Sequence, residues 1–482
     1  VDGEHSRMSR TVSLLVVVLL AIPTLAAAQP ADPVSEGTVT DTCRDLPALP
    51  QQACDTVRSA THGVAAVCRR AGAPEACTPL NGQEVSRAQV EAHAASPTAA
   101  AHDLQRRLQE DTPLRHATFV ATHNSYNSYA YRPTPSRMDA NQTYSLTDQL
   151  DMDVRRLELD VHTWTDVTTG QQAPILCHAT DDPRPHTGCT AEMTLTDGLV
   201  EIDAWLDAHP DEIVMLRVET HLDGAAGYDQ AAAAVTEVIG DHLFLPPATG
   251  TCTTLNLDLT RADVRDAGAQ VMVISDCGQG SSWQPIVWDD DAVRVESTVR
   301  AQDFSYPTCA GIPRTTPEAE VSYDTRWIRF YDDATLLSSL VSLGGDAPRR
   351  ATPTDAREWT RCGVNQPAFD HLTPTDGRLA ALVWTWAEGE GTTDPVEGCA
   401  AVRATDGLLQ QIHCVAAEVL PELCRTTSGT LTVMPSCAPG TTIDVPRNGH
   451  EAQLAAELLD AAGEGRATVS LRLEAGRWTP AA

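Results

Sequence analysis

Glu158 and Asp160, two carboxylates one residue apart, carry the first chemical signal in this chain. In Val154-Arg155-Arg156-Leu157-Glu158-Leu159-Asp160-Val161-His162 apolar and polar residues alternate. That is the period of a strand, so Leu157, Leu159 and Val161 share one face and Arg156, Glu158, Asp160 and His162 the other. The two carboxylates then stand roughly 6 to 7 Å apart at the backbone, a span one hard cation bridges. A solvated strand face is the competing reading, because antiparallel sheets expose alternating charges. The neighbouring segments argue for chemistry. Phe119-Val120-Ala121-Thr122 runs into His123-Asn124, Ile175-Leu176-Cys177 into His178, and Ile213-Val214-Met215-Leu216-Arg217-Val218 into Glu219.

Four strands each ending in a polar group need an architecture that gathers strand ends. Parallel strands alternating with helices in a closed barrel do so, collecting functional groups at the carboxyl ends of the strands. The intervening chain supplies helices. Ser145-Leu146-Thr147-Asp148 has the spacing of a capping box, with Leu146 and Leu150 on one helical face. Leu199, Ile202, Trp205 and Leu206 form a second apolar stripe, stopped by His209-Pro210. The expected fold class is α/β, a (β/α)8 TIM-type barrel, regular or distorted, with small disulfide-bearing appendages at both ends.

The set Thr-His-Asn-Ser-Tyr, Val-Arg-Arg-Leu-Glu-Leu-Asp-Val, Leu-Cys-His and His-Pro-Asp-Glu-Ile-Val-Met-Leu-Arg-Val-Glu resembles the X-region of phosphatidylinositol-specific phospholipase C, within the PLC-like phosphodiesterase superfamily. It is most similar to the secreted bacterial, calcium-dependent branch. The resemblance spans about Arg115 to His221. Metal-independent members carry an arginine at the place of the second carboxylate, where this chain has Asp160. The resemblance therefore implies calcium as cofactor, with Asn124, Glu158, Asp160 and Glu219 as its ligands and His123 and His178 as the catalytic pair. Three carboxylates and an amide suit a hard divalent ion, calcium before zinc. Arg156 is expected to pair with Glu158, and His221 to support the site from behind Glu219.

The implied reaction is cleavage of phosphatidylinositol or a related inositol phosphodiester. A hydroxyl beside the phosphodiester attacks phosphorus once it loses its proton and the phosphoryl charge is neutralised. A carboxylate such as Glu158 or Glu219 takes that proton. His178 protonates the departing glycerol oxygen and His123 stabilises the phosphoryl oxygens. The expected substrate is a phosphoinositide lipid or a soluble inositol phosphodiester, with transient contact to a membrane surface. Two other readings stand beside this one. One is a metal-dependent hydrolase like glycerophosphodiester phosphodiesterase, whose opening motif has arginine after the first histidine where Asn124 stands here. The other is a secreted binding protein built on a catalytically retired barrel.

Composition bounds the rest. The net charge is −32, and all 34 basic residues are arginine. So acidic a surface repels nucleic acid and argues against stable residence on anionic bilayers. Arg10, the apolar run from Val12 to Ala21, and Ala26-Ala27-Ala28 read as a signal peptide with initiation at Met8. A membrane anchor needs about 20 apolar residues, and Pro23 interrupts this shorter run. Fourteen cysteines, an even number with no Cys-x-x-Cys, fit disulfides in an oxidising compartment outside the cell or in the periplasm. Cys177 and Cys189 are an expected pair.

The expected organisation is a leader over residues 1–28, a small cysteine-containing segment over 29–83 and a linker helix over 84–112. The phosphodiesterase barrel follows over 113–395, then a cysteine-bearing extension over 396–482. Later barrel strands are expected at Gln270 to Ser275, Trp327 to Tyr331 and Ala380 to Trp386. Asp276 is a candidate for orienting a histidine or joining the cation shell. Trp384 and Trp386 are core residues on this reading, with stacking on a sugar ring as the alternative.

Overall fold

The structure, a computed structural model, describes residues 37–38, 84–85, 87–131, 140–165, 170–179, 193–247, 252–280, 282–298, 323–333, 350–392 and 398–480. The expected signal peptide, nearly all of the 29–83 segment and Cys189 lie outside them. Two helices lead in, α1 (Arg87–Ala94) and α2 (Pro97–Leu108). The Ser96 hydroxyl caps α2 on the Ala99 amide, with Pro97 at its first turn, where a missing N–H costs nothing.

A parallel sheet follows, built from β1 (Ala121–Thr122), β2 (Arg156–Thr165), β4 (Val214–His221), β5 (Thr253–Thr254), β6 (Val271–Ser275), β7 (Trp288–Asp289), β8 (Arg294–Thr298), β9 (Trp327–Tyr331) and β10 (Gln366–Phe369). Their order is β8-β9-β10-β1-β2-β4-β6-β7-β5. The curled sheet and its helices make a distorted TIM-type barrel. No ladder among the described residues joins edge strands β8 and β5. β2 is ten residues long, and its far half, from Val161 to Thr165, pairs antiparallel with β3 (Gln172–Leu176). A hairpin thus replaces the helix between these strands and brings His178 back to the rim, where the Cys177 amide donates to the Asp160 carbonyl at 3.1 Å.

Strand alternation sorts the side chains as expected. Leu157, Leu159 and Val161 face outward, sharing a core with Leu199, Ile202 and Leu206 of α4 (Leu195–Ala208) and Ala231 and Val235 of α5 (Gly224–Ile239). Capping boxes at Thr194 and Thr352 fix the starts of α4 and of α6 (Pro353–Arg361). Ser145 caps α3 (Leu146–Asp151) through the Asp148 amide. Inside the barrel the alternate residues form layers. Phe119, Met215, Met272 and Trp327 make an apolar plug at the amino ends, and charged residues lie above it.

The chain from Ala380 to Trp386 differs from expectation. A helical turn, Arg378–Ala381, runs into it and irregular chain follows. Alternation over so few apolar residues does not separate strand from helix. Trp384 and Trp386 pack into a second core beneath a mixed sheet of residues 399–480, with Trp478, Leu409 and Leu459. This extension is a seven-stranded sheet covered by a helix, Gly449–Ala462. Disulfides Cys399–Cys414 and Cys424–Cys437 staple it, while Cys252–Cys277 ties two loops of the barrel. Cys177 is disulfide-bonded.

Candidate active site

The site forms at the carboxyl ends of β1, β2, β4, β9 and β10. Asn124 follows β1 at φ +44, a left-handed conformation that asparagine tolerates better than most residues. It turns the chain so that the Ser125 hydroxyl accepts from the Glu158 amide at 2.8 Å and the Ser125 amide donates to the Glu158 carbonyl at 2.9 Å. The histidine–asparagine turn is thereby stitched to the carboxylate strand.

Of the six residues singled out in the sequence, Asn124, Asp160 and Glu219 come together. Asp160 and Glu219 are register partners on adjacent parallel strands. One end of the Asn124 side-chain amide lies 2.9 and 3.1 Å from the two oxygens of Asp160, and donates to both when its nitrogen is on that side. Turning that amide over makes an all-oxygen cluster, the donor set a hard cation takes. Burial, with Glu219 and Glu158 nearby, drives the Asp160 carboxyl well above its ordinary range. Tyr126 donates its hydroxyl to Asp160 at 3.1 Å. Glu219 is held low by a hydrogen bond with His221 at 3.1 Å, which places His221 behind it. The His221 ring stacks on His162, centroids 4.3 Å apart.

Glu158 is engaged elsewhere. Its Oε2 meets Nη2 of buried Arg329 at 2.5 Å, while Arg156, its expected partner, stands off at 3.8 Å. Burial alone would raise this carboxyl, but Arg329 and then Arg156 override it and hold it at about 2. Glu158, Asp160 and Glu219 do not draw within 4.8 Å of one another the way His123, Asp333 and Asp370 do. The residues fit a cation on Asn124, Asp160 and Glu219. Glu158 has only Oε1 to offer while Arg329 holds Oε2.

The two histidines are linked by amide side chains. His123 Nδ1 lies 3.1 Å from Asp370 Oδ1, which also accepts from Asn141 at 3.0 Å. Asn127 donates to Asn141 at 2.8 Å and lies 3.4 Å from Nδ1 of His178. Burial alone would lower the His123 pKa, but Asp370 outweighs it and lifts the group to about 10. Burial and then the nearby His123 push His178 down. One imidazole is thus a standing cation and the other gives up a proton readily.

Several partners in this arrangement were not picked out from the sequence. Asp370 follows β10, with no motif pointing to it. Asp332 accepts from the amides of Asp370 and Ala351 and takes Nη1 of Arg378 at 3.2 Å, so it fixes the bend that carries Asp370. The Tyr331 ring packs 4.8 Å from that of His123 and lies over the Arg329 guanidinium at 4.3 Å, an aromatic wall beside the imidazole. Asp276, a sequence candidate, accepts from Thr220 at 2.6 Å and so braces the residue after Glu219.

The chain is similar to several known proteins. A family model described as the Rv2075c PI-PLC-like domain matches residues 78–376. The uncharacterized protein Rv2075c of Mycobacterium tuberculosis is 32% identical over 467 residues, covering 91% of this chain and 93% of that one. PI-PLC X domain-containing protein 1 of Arthroderma benhamiae is 28% identical over 199 residues, covering 40% of this chain and 56% of that one. Among solved structures, phosphatidylinositol-specific phospholipase C from Listeria monocytogenes aligns with a TM-score of 0.39 at 14% identity, over 58% of this chain and 98% of that chain.

Proposed function

Because the chain belongs to the Rv2075c PI-PLC-like family of the PLC-like phosphodiesterase superfamily, we propose that it cleaves phosphatidylinositol or a related inositol phosphodiester, with calcium bound beside two histidines. The observation that carries this reading is the adjacency of the His123–Asp370 pair to the oxygen cluster of Asn124, Asp160 and Glu219.

His123, its Nδ1 committed to Asp370 and its pKa lifted to about 10, stays protonated at neutral pH. It offers its remaining N–H to the phosphoryl oxygens without a proton transfer of its own. His178, pushed down by burial and by its charged neighbour, is the acid that delivers a proton to the departing oxygen. Glu219 is the acceptor for the proton of the attacking hydroxyl. Glu158 is buried and engaged by Arg329 at 2.5 Å, which leaves the more exposed Glu219 to take that proton. Asn124, Asp160 and Glu219 would hold the cation, which when bound lowers the pKa of a neighbouring hydroxyl and offsets phosphoryl charge. Tyr331 provides a flat apolar surface next to His123, suited to the face of a sugar-like ring.

The three described disulfides support a secreted protein. No helix among the described residues is long and apolar enough to cross a membrane. Turnover of phosphatidylinositol vesicles, measured with and without EDTA and again after added calcium, tests the reading. Loss and recovery support it. Equal turnover in EDTA overturns the metal, and no turnover of any phosphodiester overturns the enzyme.

A further inference from the structure

Asp370 reaches His123 because the chain bends as it leaves β10. His371, the next residue, is fully buried and has φ +48, a left-handed backbone that residues other than glycine seldom adopt. Neither of its ring nitrogens has a hydrogen-bond partner among the described residues. The imidazole therefore does not hold the bend through polar contacts, and strained backbone of this kind persists only where its surroundings over-determine it.

Here they do so through the peptide groups. The Asp370 amide donates to Asp332 Oδ1, and the His371 amide donates to the Asn141 carbonyl at 2.6 Å. The carbonyls of the same two residues go to one side chain. Arg378 donates from Nη1 to the Asp370 carbonyl at 3.0 Å and from Nη2 to the His371 carbonyl at 2.8 Å. The planar fork of a single guanidinium thus spans two consecutive carbonyls. Arg350 adds a second donor on the His371 carbonyl, Nη2 at 2.7 Å.

Arg378 is itself fixed. It is buried, paired with Asp332 at 3.2 Å and Asp376 at 2.6 Å, and its guanidinium lies 5.0 Å from the centre of the Phe369 ring. Asp332 ties the two sides of the bend together, since one oxygen accepts the Asp370 amide and the other accepts from Arg378. Asn141 does the same for backbone and side chain. Its carbonyl takes the His371 amide, and its own amide donates to the Asp370 carboxylate at 3.0 Å.

A buried arginine between two aspartates ordinarily serves the fold as an ion pair, a role that asks only for positive charge. The fork on two carbonyls asks for more. We propose that Arg378 is a positioning residue for the reaction, setting the bend at Asp370 and His371 and through it the aim of the Asp370 carboxylate at Nδ1 of His123. This role rests on the part given above to the His123–Asp370 pair. Lysine supplies the charge without the fork, because an ammonium is a point charge on a flexible stem rather than two coplanar donors. Charge and geometry therefore separate in Arg378→Lys.

The full chain is compared with Arg378→Lys and Arg350→Gln. The thermal midpoint is measured, with kcat and KM on phosphatidylinositol vesicles and the low-field proton line of the His123 Nδ1–H, identified by its loss in His123→Gln. Arg378→Lys is expected to keep a cooperative melt and to lose about 10²-fold in kcat, the effect of a misplacement near 1 Å, with KM little changed. Its low-field line should shift or vanish. Arg350→Gln removes one of two donors on one carbonyl and is expected to lose less. Parental kcat and an unmoved line in Arg378→Lys leave this residue as an ion pair of the fold and overturn the proposal. Should Arg378→Lys not fold, Arg350→Gln decides, and an unmoved line with unchanged kcat overturns the proposal there. A parent protein that turns over no phosphodiester overturns the reaction instead, while the low-field line still tests the positioning.

Discussion

His123 and Asp370 end adjacent parallel strands, β1 and β10, and meet at 3.1 Å through Nδ1 and Oδ1. The pair is 247 residues apart in sequence, so it exists only because the curled sheet brings its latest strand beside its first. Asp370 itself is fully buried. Its substitution by asparagine removes the charge that keeps His123 protonated. Turnover of phosphatidylinositol by Asp370→Asn is expected to fall by about 10²-fold or more. Steady-state kinetics alongside the thermal midpoint check this, and full turnover in a folded variant would sink the role given to Asp370.

His178→Ala is expected to lower turnover by roughly 10² to 10⁴ with the fold intact, since the residue sits on a rim segment after β3. The sign of the pH dependence follows from its lowered pKa. An acid must be protonated to act, so activity declines as pH rises through a value below the ordinary 6.5. The optimum lies on the acid side of neutrality. A rate profile rising toward alkaline pH contradicts this assignment.

Asp160→Asn keeps the shape of the site while removing one negative charge from the oxygen cluster. The variant is expected to need at least tenfold more calcium for half-maximal activity, and calorimetric titration should show the same loss in binding. Unchanged calcium affinity would place the cation elsewhere.

Asp153 tests the fold away from the chemistry. It sits at φ +71 between α3 and β2, accepting from His93 at 2.9 Å and Arg106 at 2.8 Å. Burial alone would raise its carboxyl, yet His93 and Arg106 more than offset this and hold it well below the carboxylate range. A depressed folded pKa gives stability that is present above the unfolded value, near 3.9, and lost as pH falls through the folded one. Asp153→Asn should therefore cost about 3 kcal/mol at neutral pH, and its deficit should shrink below about pH 4. Denaturant melts at pH 7 and pH 3 give the comparison.

Much of the fold was legible because strand alternation and cap residues are local. The order of β1, α3, β2, β3, α4 and β4 follows from residues 119–221 alone, and Ser145 and the His209 stop sit where the side chains require. The placement of His123, Asn124, Asp160 and Glu219 was legible for the same reason: the first two follow β1, and Asp160 and Glu219 lie on β2 and β4. Asp370, Asp332 and Arg329 were not, because their importance comes from what a remote strand places opposite them. Glu158 shows the limit most clearly. Its type and spacing mark it as a cation ligand, but only the fold reveals Arg329 against it. The late strand expected over Ala380 to Trp386 failed because aromatic residues there serve the second core, a surface that local pattern cannot announce.

One apolar face of α2 belongs to that second core. Ala101, Leu104 and Leu108 lie against Trp384, Trp386 and Trp478, and Gln105 accepts from the Trp384 amide at 2.8 Å. The helix that enters ahead of the barrel is thus a keel for the sheet that comes last. A shortened protein ending near residue 395 would bare an oily stripe on its own leading helix, so the sequence cannot be trimmed to its catalytic portion without making that portion sticky.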